Sequence, residues 1–188
     1  MRFTFRPMSE TDAQSILAWC YDGPYAIYNM EGDEDTARSE LLDPRSPYVS
    51  VRDEHGNLAG FFAFGTSAEV GAVPVEPALF TGPRILSVGL GLRPDLTGQG
   101  RGIGLAFVNA GLEYARERFR PAAFRLFVLA FNRRAIRVYE RAGFARVGLL
   151  HIRDLAGERD FIEMRLGGKQ SRRPERHSQG SDGVAPRE

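Results

Sequence analysis

Residues Leu90 to Gly104 read LGLRPDLTGQGRGIG and carry the clearest structural signal in the chain. The apolar run from Ile85 to Leu92 predicts a buried strand that breaks at Pro94. Glycines follow at alternate positions, 98, 100, 102 and 104, and an apolar-periodic segment from Leu105 to about Phe119 predicts a helix. The local order is therefore strand, glycine loop, helix.

The glycine loop predicts an anion site at the start of this helix. Glycines let a backbone approach a ligand closely, and the first helical amides lack intrahelical partners and favour a phosphate. Two nucleotide patterns fail here. A dinucleotide fingerprint would need glycine at Ile103 or Leu105, and a Walker A loop needs Gly-Lys-Ser/Thr, whereas the only lysine is Lys169.

The pattern that fits is Gln-x-x-Gly-x-Gly, from Gln99 to Gly104, which resembles the pyrophosphate loop of the GCN5-related N-acetyltransferase (GNAT) superfamily. A second hallmark follows: a strand over Phe124–Phe131, Asn132 at a helix start, Tyr139 within the helix and Gly143-Phe144 at its end. The resemblance covers Arg2 to Leu166. The segment Trp19–Tyr28 and the residues GLGLRPDL also look like bacterial ribosomal-protein-type acetyltransferases.

The resemblance implies an α/β fold (α+β in some schemes). Its mixed, mostly antiparallel sheet carries helices on both faces and splays between the central parallel strands. It also implies an N-acetyltransferase that moves an acetyl group from acetyl-CoA to a primary amine by direct transfer in a ternary complex. The acceptor could be a protein N-terminus, an amino acid, a polyamine or an aminoglycoside-like drug. The alternative is a catalytically silent acyl-CoA-binding regulatory module on the same fold.

The resemblance also implies site residues. The backbones of Leu90 and Leu92 would contact the acetyl and pantetheine groups, and the pyrophosphate would lie on the loop residues Gln99, Gly100, Arg101, Gly102, Ile103 and Gly104. Counting forward from Pro94 instead gives a loop from Thr97 to Gly102. Two alignments of the loop motif, two residues apart, therefore fit the sequence.

Two further residues have alternative readings. Asn132 would bind pantetheine or cap its helix, and both roles are compatible. The Tyr139 phenol, with an ordinary pKa of about 10, would protonate the departing thiolate, or else the ring is only a core aromatic.

No general base is assigned. Ser87 and Gly89 stand where some relatives carry a carboxylate, and Asp22, Glu31 and Asp33 border the expected acceptor site. The aromatic residues in Trp19–Tyr28 and these acidic residues suggest a cationic acceptor with some apolar surface. The three histidines, His55, His151 and His177, lack metal-ligand spacing, so no metal is predicted.

Composition narrows the function classes. Hydrophobic residues make up 43% and charged residues 26%, as in soluble globular proteins, and the net charge of +1 argues against nucleic-acid or membrane partners. A single cysteine, Cys20, and no recognisable signal peptide predict a cytoplasmic protein. Nucleic-acid binding through helix arginines is the weakest alternative, and a homodimer is compatible with the resemblance.

The remaining chain is predicted in order. Arg2–Arg6 is a strand, Ser9 or Thr11 starts a helix, and Tyr48–Arg52 with Leu58–Phe64 forms a hairpin. Residues 65–84 are expected to lack regular structure, and Ala145–Ile152 with Glu158–Arg165 forms a final strand pair. The domain is expected to span 1–166, followed by a disordered polar tail over 167–188.

Overall fold

The computed structural model describes residues 1–30, 32–45, 47–71, 78–154 and 157–167. These ranges contain seven strands: β1 Thr4–Pro7, β2 Tyr48–Arg52, β3 Leu58–Phe64, β4 Ile85–Leu92, β5 Ala123–Leu129, β6 Ala145–Asp154 and β7 Gly157–Gly167. Four α-helices accompany them: α1 Glu10–Leu17, α2 Glu34–Leu42, α3 Ile103–Phe119 and α4 Arg133–Arg141. Short 3-10 helices occur at Gly23–Tyr28, Gly65–Ala68 and Pro94–Leu96.

The strands form one sheet in the order β1-β2-β3-β4-β5-β7-β6. Every neighbouring pair in it is antiparallel except β4 with β5, which is parallel. A parallel pair needs a long crossover, and α3 supplies it between the two central strands. The predicted fold class, a mixed and mostly antiparallel sheet, is confirmed.

The two central strands part halfway along their length. Their register runs from Ile85 opposite Ala123 to Ser87 opposite Arg125, and no further pair joins them in the described residues. Beyond that point β4 stays paired with β3 up to Leu92, and β5 stays paired with β7 up to Leu129. The sheet therefore opens as a wedge between the carboxyl-terminal halves of β4 and β5.

Helices cover both faces of the sheet, because successive side chains of a strand point to opposite sides. Phe62 packs against Phe107 of α3, with ring centroids 4.8 Å apart. Its neighbour Phe61 faces the other way, toward Trp19 after α1, at 6.2 Å. The larger core lies on the α3 side, and a smaller one with Ile16 at its centre lies under α1 and α2.

Local signals place most helix starts. Ser9 caps α1 by accepting a hydrogen bond from the amide of Asp12 at 3.2 Å, as predicted for a serine at this position.

The prediction for residues 65–84 is wrong at its start, where Gly65–Ala68 forms a 3-10 helix. Gly65 has a φ of +77°, and Thr66 exchanges hydrogen bonds with the distant Ala78. A local pattern cannot reveal this long-range pairing.

Some expectations fall outside the described ranges. The predicted polar tail lies there from residue 168 onward, as does Glu31. Within the part of the chain that the structure describes, no helix has both the length and the apolar character needed to cross a bilayer.

Replacing Gly111 with alanine should destabilise the fold. A Cβ at Gly111 would lie 2.1 Å from Cζ of Phe62, and the fully buried Phe62 ring is stacked on Phe107. We expect the free energy of unfolding to fall by about 1–3 kcal/mol, the usual cost of overpacking. Urea denaturation measures it. Gly104→Ala on the same helix is the control, because its Cβ would lie an ordinary 3.5 Å from Val138. Equal stability of both variants would contradict this packing.

Candidate active site

A cavity of about 600 Å³ opens where β4 and β5 part. The carboxyl-terminal half of β4, the glycine loop, the start of α3 and one side of α4 form its walls. The first 3-10 helix and the loops flanking it contribute aromatic side chains, namely Trp19, Tyr21, Tyr25 and Tyr28. The predicted cofactor-binding residues and Tyr139 all line this one cavity.

The glycine loop takes a conformation that other residues rarely adopt. Gly98, Gly100 and Gly102 have φ values of +70°, +68° and +74°. No atom lies within 4 Å of the Cβ position at Gly100 or at Gly102, so the backbone there borders open space. This arrangement leaves room for a ligand to approach the main chain itself.

The start of α3 offers unpaired backbone donors. Gly102 is the N-cap residue and has no side chain to cap the helix, and its carbonyl accepts the first helical bond from Ala106 at 3.1 Å. The amides of Ile103, Gly104 and Leu105 precede that bond. The first turn also carries no acidic residue. The helix dipole and these amides together favour an anion here.

Arginines supply the charge around the cavity. Among the described lining residues the charged ones are Arg101, Arg134, Arg137 and Arg141. The guanidinium of Arg134 lies over the Tyr25 ring, 3.8 Å from its centroid, and its Nη1 borders the Cβ position at Gly98. Positive charge therefore lies beside the glycine loop, as an anionic ligand requires.

The side chain of Gln99 is hydrogen-bonded to the protein backbone and is not free to bind an anion. Its Nε2 donates to the backbone carbonyl of Asp95, and Thr97 donates its hydroxyl to the carbonyl of Pro94 at 2.8 Å. Both side chains thus brace the short helix Pro94–Leu96. Any contribution of these two residues to a phosphate would come from the backbone.

The backbone of β4 borders the cavity at Leu90 and Leu92. The carbonyl of Leu92 accepts a hydrogen bond from the Tyr21 hydroxyl at 2.9 Å. Burial raises the pKa of Tyr21 to about 12, and the nearby Tyr28 phenol adds to it. The Tyr21 hydroxyl therefore remains protonated at neutral pH.

Asn132 is both a helix cap and a tether. Its Oδ1 accepts from the amide of Ala135 at 3.1 Å, which caps α4, and its Nδ2 donates to the Tyr28 hydroxyl at 2.9 Å. The predicted capping role is therefore confirmed. Pantetheine contact through Asn132 remains a prediction.

Tyr139 lies in the wall of the cavity and is only 9% exposed. Its ring meets Phe144 edge-on at 6.2 Å. Burial raises the pKa of Tyr139 well above its ordinary value, and the neighbouring Tyr28 phenol adds to that rise. Among the described residues, no hydrogen bond engages the Tyr139 hydroxyl, so it is available to a ligand.

The residues considered as bases are occupied elsewhere or exposed. Ser87 lies at the point where the strands part, and its hydroxyl donates to Glu69 and accepts from Arg125 Nε at 3.2 Å. Arg125 also forms an ion pair with Glu69, which ties the segment after β3 to β5. Asp22 and Asp33 are exposed and do not line the cavity.

Two contacts escaped sequence reasoning. The sequence shows the aromatic cluster Trp19–Tyr28, but not the contact of Tyr21 with β4 or that of Tyr28 with Asn132. These pairs are 71 and 104 residues apart in sequence, so no local pattern reports them. The aromatic residues themselves were the available signal.

The family model for the acetyltransferase (GNAT) domain matches residues 2–145. A mycothiol acetyltransferase of Propionibacterium freudenreichii subsp. shermanii is 36% identical over 135 residues, which cover 72% of this chain and 39% of that protein. Its counterpart in Streptomyces coelicolor is 34% identical over 113 residues, covering 59% and 30%. The chain thus spans less than half the length of these curated relatives.

Solved structures share the fold. A chimera of the Vibrio cholerae spermidine N-acetyltransferase SpeG with hSSAT has a TM-score of 0.68 and 18% identity, covering 88% of this chain and 95% of that one. An aminoglycoside acetyltransferase in complex with coenzyme A has a TM-score of 0.62 and 19% identity, covering 86% and 94%.

Proposed function

The chain belongs to the GNAT acetyltransferase family, and from that premise we propose that it transfers an acetyl group from acetyl-CoA to a primary amine. The observation that carries the proposal is the wedge between β4 and β5, which leads into the glycine loop and contains Tyr139. One cavity thereby joins the unpaired amides at the start of α3, the free edges of β4 and β5, and the Tyr139 phenol.

The residues present fit acetyl-CoA. The unpaired amides at the start of α3, the open space beside Gly100 and Gly102, and the adjacent arginines suit a pyrophosphate. The edge of β4 beyond Ser87 has no partner strand on its β5 side in the described residues, so it can pair with an extended pantetheine chain. The helix start at Ile103 supports the register Gln99–Gly104, which puts Gly104 in the first turn.

Bound acetyl-CoA supplies a thioester, whose carbonyl carbon is attacked by a neutral amine. The backbone of Leu90 and Leu92 borders the place where that carbonyl would be held and polarised. As the carbon–sulfur bond breaks, the electron pair goes to sulfur, and Tyr139 would deliver its phenolic proton there. The amine nitrogen gives up its surplus proton to solvent water and Tyr139 regains a proton from solvent, so the products are an amide and a thiol.

The catalytically silent acyl-CoA-binding module remains a second candidate. One observation favours it: no carboxylate lines the cavity among the described residues, so no side-chain base is at hand there. Tyr139, buried in the wall with an uncommitted hydroxyl, favours the enzyme. Thiol release separates the two candidates.

We expect the purified chain to release thiol from acetyl-CoA only when a primary amine is present. The test combines a disulfide-exchange assay for free thiol with a panel of amines, including spermidine, an aminoglycoside and peptides with free N-termini. Acetyl-CoA binding without release for every amine would favour the silent module. No binding of acetyl-CoA by the folded chain would refute both candidates.

The value of kcat/KM should rise with pH and should not fall again in the mildly alkaline range. An alkylamine has a pKa of about 10.4, so the neutral fraction that can attack grows with pH. The raised pKa of Tyr139 keeps its phenol protonated beyond its ordinary value of about 10. We therefore expect kcat/KM to increase from pH 6 to about 9.5, within the range in which Tyr139 holds its proton. A fall centred near pH 8 would contradict Tyr139 as the acid.

A further inference from the structure

A tyrosine strap, defined as Tyr21, Tyr25 and Tyr28, lines the cavity and contacts the end of β4 and the residues that follow β5. Tyr21 reaches the end of β4 through the Leu92 carbonyl, and Tyr28 reaches Asn132, just beyond the end of β5. Tyr25 lies between them in sequence and packs against Phe131 and Arg134. The strap thus bridges the gap between β4 and β5.

The hydrogen-bond direction at Tyr21 follows from its partner. A carbonyl can only accept a hydrogen bond, so the Tyr21 hydroxyl donates its single hydrogen to the Leu92 carbonyl. Among the described residues no other hydrogen bond engages this hydroxyl. Its oxygen therefore presents free lone pairs at the cavity, which suit an N–H donor.

The Tyr28 hydroxyl has the opposite role, because it accepts a hydrogen bond from the protein. The Oδ1 of Asn132 is committed to the amide of Ala135, so the amide group of Asn132 must turn its NH₂ end toward Tyr28. Tyr28 accepts that bond and keeps its own hydrogen to donate. The Tyr21 and Tyr28 hydroxyls therefore differ: Tyr28 can still donate its hydrogen, whereas Tyr21, whose hydrogen goes to Leu92, can act toward a ligand only as an acceptor.

The walls near the strap are apolar. Trp19, Met30, Phe61 and Phe161 line the cavity alongside the tyrosines. The described charged residues of the lining are all arginines, located in the glycine loop or on α4. An amine with an apolar body would bury its surface against these aromatic rings, whereas a polycation would find no described carboxylate in the lining to pair with.

We propose that Tyr21 positions the acceptor by accepting a hydrogen bond from its amine, and that this amine is carried by an apolar or aromatic body rather than by a polyamine. The proposal rests on the proposed function, since it names the acceptor class of that same cavity. It keeps the apolar surface expected of the acceptor from the Trp19–Tyr28 cluster and departs from the cationic character that the acidic residues near Asp33 suggested. Asp33 is exposed and bonded to Thr36 instead.

The test measures acceptor binding to the CoA-saturated chain by calorimetry, because CoA without an acetyl group cannot react. The probes are 2-phenylethylamine and spermidine. We expect 2-phenylethylamine to bind more tightly than spermidine, and Tyr21→Phe to weaken it by about tenfold or more, the size of a hydrogen bond to a charged group. The affinity for CoA should change by less than about twofold, because the phenylalanine ring keeps the packing.

Tyr114→Phe, a core tyrosine stacked on Phe5 at 4.5 Å, is the matched control and should leave amine binding unchanged. Tighter binding of spermidine, no binding of 2-phenylethylamine to the wild type, or an unchanged affinity in Tyr21→Phe would each overturn the proposal. An equal loss of CoA and amine binding would also do so, because it would assign Tyr21 a purely structural role. Absence of thiol release alongside the expected binding pattern would refute only the proposed function.

Discussion

Replacing Tyr139 with phenylalanine is expected to lower kcat for acetyl transfer by about 10²–10⁴-fold, the usual contribution of a general acid. The thiolate would then have to leave without a positioned proton donor. The affinity for acetyl-CoA should stay nearly unchanged, because the aromatic ring that packs against Phe144 is retained. Steady-state thiol release and calorimetric titration of acetyl-CoA measure the two effects.

The folded state should tolerate this change. The Tyr139 side chain is 9% exposed and no hydrogen bond engages its hydroxyl among the described residues, so removal of the hydroxyl leaves no protein partner unpaired. Tyr114→Phe on α3 controls for loss of a phenol elsewhere in the core. A kcat within a factor of about three of wild type would show that Tyr139 is a core aromatic and not the acid.

Replacing Gly102 with glutamate is expected to abolish measurable acetyl-CoA binding, with a loss of about 100-fold or more. Nothing lies within 4 Å of the Cβ position, so the new side chain would project into the open space at the start of α3. Its carboxylate would repel a pyrophosphate by about 4 kcal/mol at 4 Å in a protein-surface environment. Calorimetric titration of acetyl-CoA measures the loss.

Two variants separate charge from backbone strain. Gly56 lies in the β2–β3 turn with a φ of +83° and also has nothing within 4 Å of its Cβ position, so Gly56→Glu brings the same strain and charge away from the cavity. It should bind acetyl-CoA normally. Gly102→Ala carries the left-handed strain of about 1–2 kcal/mol without the charge, and should lose much less affinity than the glutamate variant. If the folded Gly102→Glu variant bound acetyl-CoA normally, this would contradict the assignment of the pyrophosphate site to the start of α3.

Much of the site could be predicted because its signals are local. Left-handed glycines before an apolar-periodic segment mark a loop that leads into a helix, and the structure starts α3 at Ile103, two residues before the predicted Leu105. An asparagine before a helical segment marks a cap, and Asn132 is one. The family resemblance, read from these two motifs, is confirmed by the domain match over residues 2–145.

The order of elements, the glycine loop, the helix caps and the family could be inferred from local sequence, since each depends on residues a few positions apart. The parting of β4 and β5 after Ser87, and the contacts of Tyr21 with Leu92 and of Tyr28 with Asn132, became visible only in the folded chain. The same is true of the ion pair between Glu69 and Arg125, and of the position of Asp22 and Asp33 outside the cavity. The reason is physical: where strands diverge, and which side chains meet across the gap, depends on packing between segments tens of residues apart.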